Sequence, residues 1–323
     1  MNADKLLSLV RLATLAPSSH NTQPWVFRVT DRYIDVVADP TRSLPENDPS
    51  GRELTISCGC ALMNLRIAAQ HAGLQPEVEY FPDFGDPTVL ARIEFSARDT
   101  SSDDDPSLVE AITKRWTYRR PFADRAVPDL IVRGMVQEVT REGGWLVIVS
   151  DQSQRSDIGR LVAEGAAAQW SRRGWRRELA RWMRPRAARD GLVTPTVAVP
   201  LTRFVIRSFN LGRRIGAQDK QLAEQAPLLA VLGTYGDAAA DWLVAGQALQ
   251  RLLLRAAGLG VQASFLNQPV QVGPLREQLE RLLAVAGFPQ IVLRLGYPNE
   301  QIAAAPRRSV GDVTSVRTTR TSG

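Results

Sequence analysis

The sequence of 323 residues predicts a protein of the α/β (α+β) class built from two similar halves. Three observations lead there. Amphipathic helical patterns alternate with short β-rich runs along most of the chain. A Trp-led strand follows a helix twice, as Trp25-Val26-Phe27-Arg28-Val29 and as Trp145-Leu146-Val147-Ile148-Val149. The spacing Gly-x-Ala-Leu-x-x-Leu also recurs, at Gly59 to Leu65 and at Gly246 to Leu252.

Taken in order, Asn2 is placed to cap a first helix that carries Leu6, Leu9, Val10, Ala13 and Leu15 at helical spacing. Pro17 ends it, because the residue before a proline is pushed out of the α region. Ser18, Ser19, Asn21, Thr22 and Gln23 then lie between Pro17 and Pro24, a run whose side chains can satisfy the turn's own backbone or face a ligand. Strands at 25–29 and 33–38 flank Thr30-Asp31-Arg32 as a hairpin. A broad apolar helical face runs from Glu53 to Ala72, with Gly73 as its left-handed cap. Strands follow at 77–81 and 89–95. The acidic run Ser101 to Pro106 reads as the joint, which sets the halves at 1–105 and 106–323.

The second half opens with a short helix before Arg115 and continues with a helix over 129–141 and the strand led by Trp145. Its spacing from Trp to Gly is much longer than in the first half, so roughly 169–225 reads as an insertion of the lid or binding-loop kind. Residues 192–200 read as extended. A strand at 228–232, the helix containing Gly246 and ending at Gly258, a helix over 274–286 and a strand at 290–295 complete the half, before a polar tail from Pro306.

Composition removes several classes of function. Cys58 and Cys60 are the only cysteines and His20 and His71 the only histidines, too few for a structural zinc site or a His-rich metal centre. No apolar run approaches the ~18 residues of a membrane span, and no signal-peptide pattern opens the sequence; a cytoplasmic location is expected. The net charge of +6 is carried almost wholly by arginine, with thirteen basic residues between Arg172 and Lys220 against Glu178, Asp190 and Asp219. A membrane-surface or nucleic-acid role for that insertion rests on the shared face of Trp175, Leu179 and Trp182, which docking on the protein's own core explains more simply. Neither partner is expected.

Arg115-Trp116-Thr117-Tyr118-Arg119-Arg120 sets three guanidiniums and a hydroxyl close together, and Pro306-Arg307-Arg308-Ser309 adds a second basic cluster. Arginine forks match phosphate oxygens and keep their charge. A solvated basic turn has the same composition. No Gly-x-Gly-x-x-Gly follows a strand and no Walker-type Gly-Lys-Ser/Thr is present, so neither a Rossmann dinucleotide fold nor a P-loop is indicated.

Together these segments resemble the nitroreductase superfamily of flavin-dependent oxidoreductases, and within it the Acg-like branch, in which two nitroreductase-like halves share one chain. The resemblance implies a nitroreductase-like fold with mostly antiparallel central sheets flanked by helices. It implies bound FMN, with Pro17, Ser18, Ser19 and Asn21 against ring and ribityl chain. Arg115, Thr117, Arg119, Arg307 and Arg308 would lie at the phosphate, and Phe265 and Leu266 on the strand beside the ring. No protein acid or base is implied, since the chemistry belongs to the flavin; NADPH or NADH would reduce it, and a nitroaromatic or quinone would oxidise it.

The two motifs are split between the halves. The first keeps the Pro-Ser-Ser-x-Asn loop and lacks Arg-x-Ser/Thr-x-Arg, whereas the second keeps Arg115, Thr117 and Arg119 but has Arg141-Glu142-Gly143-Gly144 before Trp145. One composite site and a monomer that imitates the family's homodimer are expected. A flavin-sequestering protein with a closed lid is the alternative.

Overall fold

The structure is a computed structural model, and it describes residues 3–97 and 105–316. The chain runs α1 (Ala3–Ala13), β1 (Trp25–Val29), β2 (Tyr33–Ala38), α2 (Arg52–His71), β3 (Leu74–Tyr80) and β4 (Val89–Ala97). It continues with α3 (Ser107–Lys114), α4 (Asp129–Arg141), β5 (Gly144–Val149), α5 (Gln152–Ser171), α6 (Arg173–Trp182), β6 (Met183–Arg184), β7 (Leu192–Val193), α7 (Val199–Ser208) and α8 (Gly212–Glu224). Last come β8 (Leu228–Thr234), α9 (Ala239–Gly258), β9 (Gln262–Phe265), α10 (Gln268–Gln271), α11 (Gly273–Leu283), β10 (Phe288–Gly296), α12 (Val310–Val313) and β11 (Thr314–Val316).

Two main sheets result, one ordered β11-β1-β2-β4-β3 and the other β5-β8-β10-β9. Every pairing in them is antiparallel except that of β1 with β11, so the expected mostly antiparallel sheets flanked by helices are present. β8 is buried along its whole length because both its faces are covered. Ala230 and Leu232 join the central core that includes α2 and α9, while Leu229 and Val231 pack with Ile158, Leu161, Leu275 and Leu279 of α5 and α11.

α2 and α9 pack against each other where their repeated glycines meet. A Cβ on Gly59 would lie 2.5 Å from the Leu243 carbonyl oxygen and 3.0 Å from Gly246 Cα; one on Gly246 would run into the Ile56 carbonyl and reach 2.8 Å from Gly59 Cα. The two copies of Gly-x-Ala-Leu-x-x-Leu are therefore the contact faces of a single helix pair, each glycine the hollow for the other backbone.

Several boundaries differ from the sequence reading. β3 starts at Leu74, not 77; it is an edge strand, where Pro76 is tolerated because no further strand needs its amide. Residues 199–208, read as partly extended, form α7 with Pro200 in its first turn, where the missing N–H costs nothing. α9 begins at Ala239, well before Gly246. The polar tail is not a tail: α12 and β11 bring the C-terminal segment back to the first sheet, pairing Phe27 with Thr314. The proposed cap Asn2 and most of the acidic joint lie outside the described residues. Among those described, no helix is long and apolar enough to cross a membrane.

Because backbone atoms meet any added methyl at the α2–α9 crossing, Gly246→Ala should destabilise the protein by about 2–3 kcal/mol, whereas Gly273→Ala, whose Cβ would meet nothing within 4 Å, should stay within about 0.5 kcal/mol. Thermal melts of the two variants beside the parent check this; equal melting temperatures would remove the crossing from its central place.

Candidate functional site

After α1 the chain turns sharply. The Ser18 hydroxyl accepts the Gln23 amide at 2.9 Å, and the Ser18 and Ser19 carbonyls accept the amides of Asn21 and Thr22. His20, Asn21 and Gln23 all sit at left-handed φ of 50°, 54° and 52°, a region that costs non-glycine residues energy unless surrounding contacts hold them. Those contacts are present. Asn21 Nδ2 donates to the carbonyls of Gly191 (3.3 Å) and Pro306 (3.1 Å), and its Oδ1 accepts from Arg307 Nη1 at 3.2 Å. Gln23 Nε2 donates to the Arg189 carbonyl at 2.9 Å, and its Oε1 accepts the Arg308 amide at 2.8 Å. Asn21 and Gln23 thus tie this loop to both the insertion and the C-terminal segment.

The loop forms one lip of a cleft of about 530 Å3, within the ~300–1,000 Å3 usual for cofactor and ligand sites. Pro17, Ser18, Ser19 and His20 line it from the loop, and Glu53, Ile56, Ser57 and Cys60 from α2. Thr117 and Arg119 come from the segment after α3, Ser264, Phe265 and Leu266 from β9 and the residue after it. Thr117 is held against β9 by a bridge to Ala263, and the Tyr118 amide donates to the Ala263 carbonyl at 2.9 Å. So Pro17, Ser18, Ser19, Thr117, Arg119, Phe265 and Leu266, distant in sequence, meet around one cavity.

Asn21, Arg115, Arg307 and Arg308 lie behind that surface. Arg115 is buried at the end of α3, and its Nη2 donates to the Leu15 carbonyl at 3.1 Å. Arg307 Nη2 donates to the same carbonyl at 3.2 Å and to that of Ala16 at 3.1 Å. Arg308 donates to the carbonyls of Gln23 and Asp312. Arg307 and Arg308 therefore act on the loop's backbone.

The electrostatics at this end are one-sided. No carboxylate pairs with Arg115, Arg119 or Arg307 among the described residues, and Nε of both Arg115 and Arg307 is buried without a partner. Burial pushes Arg115 down to about 10. Burial, with Arg115 nearby, pushes Arg307 to about 9, and the enclosing cleft walls lower Arg119, whose side chain is open to the cavity. Unpaired buried cations are costly, so the arrangement favours an anion. His20 faces the same cleft; its Nδ1 is buried and unpartnered, and burial followed by Arg119 lowers its pKa to about 4.

The opposite wall was only partly legible. The insertion supplies Gln169, Trp170, Trp175, Leu179, Leu192, Ile215 and Asp219 to the cleft lining. The Trp-Arg pattern located the segment without showing which of its residues would face inward. Trp175 and Trp182 are buried, and Trp175 Nε1 donates to Asn47 Oδ1 at 2.9 Å, so that face docks on the protein itself. Glu53 was missed because its spacing reads only as helix. Buried in the cleft wall, it accepts from Ser19 Oγ (2.7 Å), Asn47 Nδ2 (3.1 Å) and Gln271 Nε2 (2.7 Å). Its pKa is raised by burial, with Arg52 acting in opposition.

No family model matches the chain. The chain is 30% identical over 333 residues to "Uncharacterized protein Rv3127" of Mycobacterium tuberculosis (strain ATCC 25618 / H37Rv), covering 98% of this chain and 95% of that one. It is 28% identical over 323 residues to "Putative NAD(P)H nitroreductase acg" of the same strain, with 98% and 97% covered. To "Probable NAD(P)H nitroreductase PigM" of Serratia sp. (strain ATCC 39006) it is 24% identical over 327 residues, with 94% and 91% covered. Among solved structures, the FMN and NADPH-dependent nitroreductase NfnB from Sphigopyxis sp. strain HMH shares 16% identity at a TM-score of 0.41, over 64% of this chain and 96% of that one. An overlap that partial has no bearing on the site.

His20 gives the site a pH signature. Its folded-state pKa of about 4 lies below the ordinary 6.5, so the unfolded chain takes up a proton first as pH falls. The fold should lose about 1–3 kcal/mol between pH 6.5 and 4, and nothing on this account above 6.5. Urea unfolding of the parent and of His20→Gln across that range tests this, with a shallower pH slope expected in the variant.

Proposed function

Since the chain belongs to the nitroreductase family, in its Acg-like branch, we propose that it is an FMN-binding NAD(P)H oxidoreductase. We propose further that one composite site serves each monomeric chain and that a nitroaromatic, quinone or similar small electrophile is the acceptor. The supporting observation is the set of three guanidiniums, Arg115, Arg119 and Arg307, beside a cofactor-sized cleft and without a carboxylate partner among the described residues. A phosphate monoester is the anion that such forks suit.

FMN held here would supply the two-electron redox chemistry between NAD(P)H and the electrophile. The chain's own residues bind and orient. Arg119, exposed to the cleft, and Thr117 would meet the phosphate directly, with Arg115 adding charge from behind. Arg307 and Arg308 hold the loop so that Ser18 and Ser19 face the ribityl and ring positions, and Phe265 and Leu266 form the apolar side. Trp170 and Trp175 keep water from that space.

The single site per chain rests on our reading of halves 1–105 and 106–323 as an internal dimer about the α2–α9 contact. With Gly59 matched to Gly246, Cys60, which lines the cleft, corresponds to Gln247. Gln247 is instead held by Tyr80 Oη at 2.8 Å and Arg66 Nη1 at 2.8 Å, and Arg66 also pairs with Glu142 at 2.6 Å. On that reading the network, at the position equivalent to Cys60, supports the loss of a mate site.

The second reading is a protein that sequesters its flavin. The fastening of the insertion favours it: Glu178 accepts the amides of Glu46 (3.0 Å) and Asn47 (2.9 Å), and Asp190 pairs with both Arg42 and Arg184.

Absorbance of the purified protein should give one FMN per chain, and two would overturn the single site. Arg119→Ala should weaken FMN binding about 10- to 100-fold, as expected for a lost charge-assisted contact; retention of parental affinity would remove Arg119 from the phosphate. Anaerobic stopped-flow mixing with NADPH should bleach the flavin band. A band that persists assigns the protein to the sequestering reading.

A further inference from the structure

The insertion has an outer face that the cleft does not use. Along the short turn Thr196–Ala198 and α7, Val197 is 93% exposed, Leu201 66%, Phe204 60% and the adjoining Phe209 52%. Leu201 and Phe204 are three residues apart on α7, and Val197 precedes Leu201 by four, so they share one side of the helical path. Phe204 and Phe209 pack edge to face with ring centroids 6.4 Å apart, which extends the apolar surface beyond the helix end. The opposite side of α7, through Val199 and Ile206, is buried. The exposed side is therefore a second apolar face, additional to the one that docks the helix.

Around it the charge has one sign. Arg207, Arg213 and Arg214 are exposed and have no acidic partner among the described residues. From Leu179 to Gln218 the sequence holds a single acidic residue, Asp190, and that one is buried and paired with Arg42 and Arg184. β7 connects this exterior to the cleft: Leu192 lines the cavity, while the next residue, Val193, is 47% exposed outside.

We infer that this face of α7, with Val193, Val197 and Phe209 beside it, docks on an anionic phospholipid surface. A helix lying in the interface inserts aliphatic and aromatic side chains while arginines at its flank meet lipid phosphates. A second copy of this chain fits poorly. A twofold contact would set Arg207, Arg213 and Arg214 near their own counterparts, and like charges brought together oppose association. Nucleic acid would meet the arginines, yet it leaves Val197 and Leu201 in water. This departs from the expectation that no membrane partner exists, which rested on the buried Trp175 face of α6 and not on α7. It is independent of the redox reading.

Co-sedimentation of the full chain at low salt, with vesicles of pure phosphatidylcholine and with vesicles also containing phosphatidylglycerol, tests the inference. Binding is expected only to the latter and should decline as salt is raised. Leu201→Ser with Phe204→Ser, and separately Arg207→Gln with Arg213→Gln and Arg214→Gln, should each weaken binding by about tenfold or more. Unchanged thermal melts and unchanged far-UV circular dichroism would show that both variants remain folded. Absence of preference for the anionic vesicles overturns the proposal. So does parental binding by the serine variant, a dimer in sedimentation that the serine variant dissolves, or duplex DNA binding that the serine variant retains while vesicle binding is absent.

Discussion

The close contact of α2 with α9 at Gly59 and Gly246 is the constraint on which the rest of the molecule depends. A glycine on each helix lets two backbones approach until any added methyl would meet main-chain atoms. Close-packed interiors transmit such changes and do not absorb them. α2 carries the cleft residues Glu53, Ile56, Ser57 and Cys60, and α9 contributes Leu249 to the same lining. The separation of these two helices therefore helps set the width of the cleft.

Around that pair the site is assembled from strained and charged parts that compensate one another. Three non-glycine residues of the loop sit at positive φ, and they stay there because Asn21 and Gln23 hydrogen-bond to segments more than 160 residues away. Arg115 and Arg307 converge on one carbonyl, that of Leu15, with no carboxylate among the described residues to balance them. A merely structural clamp would gain by including an acid. The omission leaves positive potential beside a cleft large enough for a cofactor, which is the physical basis for reading the site as a phosphate-bearing one.

The segment read as an insertion presents two faces in this arrangement. Inward, Trp170 and Trp175 form a wall whose position is fixed through Asn47, itself bound to Glu53 in the cleft. Glu53 also holds Gln271, which accepts from Gln169 of the insertion at 2.6 Å. The carboxylate thus joins the loop through Ser19 to two parts of the covering wall, so displacement of the wall disturbs the loop. Outward, the same segment shows the apolar and basic side of α7.

The sequence by itself determined the class of fold and the residue types of the loop and of the Arg-x-Thr-x-Arg segment. Those signals are local: helical spacing, prolines that stop helices, and arginines separated by fixed intervals. β1, β2, α2 and α4 appear where such signals place them, within a residue or so. Only the tertiary structure decided what depends on distant partners. Glu53 looks like any surface helix acid until Ser19, Asn47 and Gln271 surround it. Residues 314–316 read as a polar tail until β1 offers an open edge to pair with. Arg115 and Arg119 are two residues either side of Thr117, yet one faces backbone carbonyls and the other the cleft. Burial and contact with segments far along the chain set each of these outcomes, and no periodicity within the chain encodes them.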